Sequence, residues 1–127
     1  ADARVYFITP HNGARVFGPI TVRFGLRNMG VARAGDRAPN TGHHHLLVDV
    51  KEDLALDQPL PTDRSHLHFG GGQTETQLEL PPGRHTLQLV LGDADHRPFN
   101  PVVASDRISV TVLAHRPRPH KRRFRRY

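Results

Sequence analysis

The chain has 127 residues, enough for one domain with its own core and too few for two ordinary ones. Eleven glycines and eleven prolines favour a loop-rich β domain, and no run approaches the roughly 20 apolar residues of a membrane-spanning helix. The absence of cysteine excludes disulfides, thiolate metal sites and cysteine nucleophiles, and the net charge of +6 belongs to one end, where Arg116, Arg118, Lys121, Arg122, Arg123, Arg125 and Arg126 stand without an acid.

Arg4 to Ile8 is β-branched and aromatic, and Thr9-Pro10-His11-Asn12-Gly13 closes it with turn chemistry. A short extended piece, Ala14 to Phe17, follows. Ile20, Val22, Phe24 and Leu26 then alternate with Thr21 and Arg23, the pattern of a half-buried strand. Residues 27–42 read as a long ordered loop, the kind that is more often functional than not in a small domain. Residues 43–50 form a strand that opens on three histidines. Lys51 to Gln58 is ambiguous, with room for one helical turn. His66-Leu67-His68 runs into Gly70-Gly71-Gly72, a run that permits sharp turning. Thr74 to Leu80 alternates again. His85 to Leu91 is the clearest core strand, Gly92 to His96 a turn, 97–105 a loop, and Arg107 to Leu113 the last strand.

About seven short strands without an amphipathic helix predict an all-β fold, an antiparallel β-sandwich over residues 1–114. Residues 115–127 read as a flexible basic tail. Such a tail suits an anionic membrane or cell-envelope polymer, with nucleic acid a less favoured partner. The opening at Ala1 suits a mature, exported chain.

Two sets of motifs carry a resemblance. Val5 to Pro10, Pro19 to Val22 and Pro82 to Leu87 are similar to strands of bacterial immunoglobulin-like domains. Gly42 to Asp49, His66 to Glu75 and His85 to Asp93 resemble a family of small, exported, histidine-rich bacterial domains of unknown function. The resemblance covers residues 4 to about 113. It implies an immunoglobulin-like sandwich and a periplasmic or otherwise exported setting. It implies no activity.

Function therefore rests on the histidines. Alternate residues of a strand share a face, so His43 and His45 form one pre-oriented pair and His66 and His68 another. Two such pairs supply four imidazole nitrogens, a donor set for copper(II) or zinc(II). His44, His85 and His96 are reserve ligands. His44 falls in line with Leu46 and Val48, and His85 with Leu87 and Leu89, so an alternative site has these two meeting at one end of the core. Asp49 and Glu75 are candidates to orient a ring from behind.

These residues predict a metal-binding protein for copper or zinc carriage or sequestration. A non-catalytic envelope interaction or adhesion module with structural histidines is the alternative, and a small metalloenzyme the third reading. Catalysis has less support, because Ser65, Ser105 and Ser109 sit in no nucleophile motif. Asp93 and Asp95 lack the further carboxylates of a calcium loop.

Overall fold

A computed structural model describes residues 2–118. Nine strands follow one another: β1 (Arg4–Thr9), β2 (Ala14–Val16), β3 (Ile20–Arg27), β4 (Gly30–Val31), β5 (Thr41–Val48), β6 (His66–His68), β7 (Glu75–Leu78), β8 (Gly83–Gly92) and β9 (Ile108–Val112). No helix forms among the described residues.

The expected all-β sandwich is present. One sheet has the order β1-β3-β7; the other runs β2-β9-β8-β5-β4, with β6 also on β5. Most pairings are antiparallel, and two short ones, β2 with β9 and β4 with β5, are parallel. The count exceeds the expected seven because very short strands escape the sequence pattern. The two-residue β4 lies inside the expected 27–42 loop, and the three-residue β6 is made of one histidine motif. The helical turn considered for 51–58 does not form. Instead Leu54 lies against Leu47, Val50, Leu60 and Val90, which drives the segment onto the sheet in an irregular path.

The alternating side chains place the core. Ile20, Val22 and Phe24 of β3 face Leu46 and Val48 of β5, Leu87, Leu89 and Leu91 of β8, and Val110 and Val112 of β9. Each fully buried aliphatic side chain contributes about 1.5–3 kcal/mol.

Strand β5 is central to the larger sheet. Its residues 43–48 pair with β8 on one side. On the other side Thr41 and Gly42 pair with β4, and His45 to Leu47 pair with β6. Both faces of β5 are buried from Gly42 to Val48. His44, Leu46 and Val48 face the interior of the sandwich. His43, His45 and Leu47 face outward, where Leu47 packs with Val50, Leu60 and Val90, and the two histidines meet the turn that follows β8.

Leu89 is inaccessible to solvent and is a sensitive probe of this core. Leu89→Ala should destabilise the domain by about 2–5 kcal/mol, read as a lower urea midpoint at unchanged slope.

Candidate metal centre

The outward face of β5 carries His43 and His45, as period-two alternation requires. Two further rings join them. His68 of β6 pairs directly with His45. His96 comes from the turn after β8, held by a bond from its own N–H to the Asp93 carbonyl (2.9 Å). Its φ of 63° is left-handed, a conformation uncommon outside glycine, asparagine, aspartate and histidine. One ligand nitrogen from each of these four rings lies within 4.8 Å of the others. Nitrogens about 2.0–2.1 Å from a shared ion stand about 3–4 Å apart, so the spacing fits a four-nitrogen centre.

His43 and His45 are 1% and 0% exposed, while His68 and His96 are half-buried. The rings pack closely. His68 and His96 have centroids 4.6 Å apart, and His43 and His45 4.7 Å apart. Two glycines make this crowding feasible. A Cβ on Gly92, which pairs with His43, would stand 2.7 Å from His45 Nε2. A Cβ on Gly70 would stand 2.3 Å from the His68 ring.

The hydrogen-bonding pattern is over-committed. His43 Nε2 lies 2.9 Å from His45 Nε2 and 3.1 Å from His96 Nδ1. An imidazole nitrogen offers one hydrogen or one lone pair, so only one of these contacts can be a well-formed hydrogen bond at a time. His45 Nδ1 and His68 Nε2 are buried and have no partner among the described residues.

Burial disfavours the charged rings, and neighbouring rings add to the effect. Burial, then His68 and His96, hold His43 down at about 4. Burial, then the surrounding histidines, hold His45 down at about 3. Burial and then His96 lower His68. At neutral pH these three rings are uncharged and their lone pairs are available to a cation.

The set brought together differs from the expected one by a single exchange, with His96 in place of His66. His66 pairs with Leu47 and shares the outward face, but it stands one pleat repeat further along. Its Nδ1–H donates to Asp63 Oδ1 (2.8 Å), which also accepts from the Ser65 N–H (2.9 Å). The spacing H-x-H establishes a shared face but not equal reach. His96 stands only as a reserve ligand in the sequence, because its position depends on where β8 ends.

His44 and His85 do not meet. His44 pairs with Leu91 and packs 4.9 Å from the Phe24 ring, held down at about 4 by burial and then by His43. His85 lies six residues away along β8, about 20 Å at strand rise. Asp49 does not support the cluster. With φ 56° it turns at the end of β5 and accepts from His85 Nδ1 (2.7 Å) and the Thr86 N–H (2.9 Å). His85 Nε2 donates to the Pro81 carbonyl (2.7 Å). Burial opposes the charge on His85, but the bonds to Asp49 and Pro81 outweigh it and raise its pKa. Glu75 belongs to the other sheet, 3.8 Å from Arg23. Of the basic run, Arg116 lies over the Phe17 ring at 5.6 Å and Arg118 is exposed. Lys121, Arg122, Arg123, Arg125 and Arg126 lie outside the described residues.

A family model described as a domain of unknown function, DUF4399, matches residues 22–113. The chain belongs to this family. The match contains all four converging histidines of this DUF4399 domain. No curated protein matches the chain. Among solved structures, the endo-beta-1,4-mannanase from Thermotoga petrophila is similar, with a TM-score of 0.54 at 19% identity. The similarity covers 91% of this chain and 20% of the mannanase chain, and it supports the fold alone.

A histidine with a lowered pKa takes up more protons when unfolded than when folded between its folded value and the ordinary 6.5. Stability from His43, His44 and His45 is therefore full above pH 6.5 and is lost as pH falls toward 4. His85 acts with the opposite sign, its contribution fading as pH rises through its raised value. With His68, which is lowered too, four rings outnumber it, so the melting temperature of the metal-free protein should drop by several degrees between pH 6.5 and 4.5. A flat profile in scanning calorimetry would contradict this balance.

Proposed function

We propose that this domain binds one divalent transition-metal ion, copper(II) or zinc(II), through His43, His45, His68 and His96. The reading is carried by the crowding at His43 Nε2. One nitrogen here faces two others at once, each of which needs its single hydrogen or lone pair. A shared cation uses four lone pairs at once and relieves that conflict. The all-nitrogen donor set favours copper or zinc over calcium or magnesium.

The role that fits such a site is carriage or sequestration of the ion. An exported, periplasmic setting is supported by the resemblance to exported domains. In that setting the basic run from Arg116 to Arg126 would contact an anionic lipid or polymer surface.

Metal analysis of the tag-free protein, followed by titration of the stripped form with Cu(II) and Zn(II), tests the centre. One tightly held ion per chain is expected. His96→Ala should weaken binding by more than about a hundredfold, beyond the effect usual for losing a residue that only supports a ligand, while His66→Ala should leave it unchanged. Equal effects of the two substitutions would remove His96 from the centre. No uptake of either ion at micromolar concentration would leave the histidines as a structural network in an interaction module.

Deleting residues 115–127 should abolish sedimentation with vesicles containing anionic lipid and leave metal uptake intact. Retained vesicle binding would place the anionic contact elsewhere.

A further inference from the structure

Two of the four rings lie on the central strand of the sheet, a third on the short strand beside it, and the fourth in a turn. His43 and His45 lie on the central strand, paired along β8. His68 sits at the last residue of the short β6, just before the glycine run, and His96 sits in a turn. Both of these rings are half-buried, so the solvent side of the cluster is the side of His68 and His96.

Residues 32–37 join these two ligand-bearing segments. The Ala34 N–H donates to the Gly70 carbonyl (2.8 Å), two residues after His68. The Gly35 N–H donates to the Ala94 carbonyl (3.0 Å), two residues before His96. Gly35 has φ 85°, the left-handed turn that lets consecutive N–H groups reach different partners. The space beside Gly70 is filled from both sides, since a Cβ there would meet the His68 ring at 2.3 Å and the Ala34 Cβ at 3.2 Å. The strap ends in a two-pronged ion pair. Arg37 Nη2 donates to Asp95 Oδ1 (2.8 Å) and Nη1 to Asp95 Oδ2 (3.2 Å), directly beside His96. The other end is anchored by the Ala32 N–H on the Gly42 carbonyl (2.8 Å), next to His43.

We propose that residues 32–37 form a latch that sets how fast an ion enters and leaves the histidine cluster, with the Arg37–Asp95 pair as its catch. The inference rests on the metal-binding reading and adds a means of control to it. His68 and His96 must part for an ion to pass, and the strap ties the segments that carry them. Arg37 and Asp95 are positioning residues that touch no ion. Their side chains are 71% and 54% exposed, so the pair is a modest restraint, screened by salt.

The test loads the full chain with Zn(II) and follows release into excess chelator by stopped flow. Arg37→Ala and Asp95→Asn should each release the ion about two- to fivefold faster at unchanged stoichiometry, as loss of an exposed but bidentate pair allows. The exchanged pair, Arg37→Asp with Asp95→Arg, should return the rate toward wild type. Salt at about 1 M should speed release from wild type and not from Arg37→Ala. The Cu(II) visible spectrum should be the same in all forms, because the ligands are unchanged. Wild-type release rates in both single variants overturn the latch and leave the metal centre standing. Faster release that the exchanged pair does not restore also overturns it. Failure of the wild type to take up metal overturns both.

Discussion

Strand β5 has no solvent face, and the character of the domain follows from that. A strand dry on both sides would ordinarily be a continuous apolar run. Here three consecutive positions are histidine, so a titratable ring must face each way. On the inner face His44 takes an aromatic's place against Phe24, with neither ring nitrogen bonded among the described residues. On the outer face His43 and His45 reduce the cost of burial by staying neutral and by turning toward other imidazoles. A chain that needed only stability would place leucine or valine at these positions. For His43 and His45, polar rings in the driest part of the sheet make sense when their lone pairs are used.

Much of the fold was legible because it depends on alternation. Ile20-Val22-Phe24 and Leu87-Leu89-Leu91 declare their faces in sequence, and the sheets assemble from them. The inward direction of His44 followed from the same rule. The short strands β4 and β6 were not legible, because two or three residues carry no period and exist as strands only through β5.

The site was half legible. The H-x-H spacing puts His43 and His45 on one face, and the structure brings His68 beside them. It could not separate His68 from His66, because the distinction is one of register against β5 and of a nearby acceptor, Asp63. It ranked His96 low because a turn residue has no face until the strand before it ends. Asp49 and Glu75 are near the histidine motifs in sequence but not near the four-ring cluster in space. One turns toward β8 at a left-handed residue, and the other enters the opposite sheet. The two glycines that admit the rings, Gly70 and Gly92, looked like ordinary turn residues. Their role is steric and depends on which ring lies opposite.

The four rings are contributed by segments far apart along the chain, from residue 43 to residue 96. An unfolded chain still carries His43 and His45 as a loose chelating pair, but His68 and His96 arrive only after β6 and β8 have docked on β5. Those pairings close long loops. The complete donor set therefore exists only while both β6 and β8 are paired with β5. Capture by all four rings would report that the centre of the sheet is finished, so an ion bound there would select for completed molecules rather than guide their assembly.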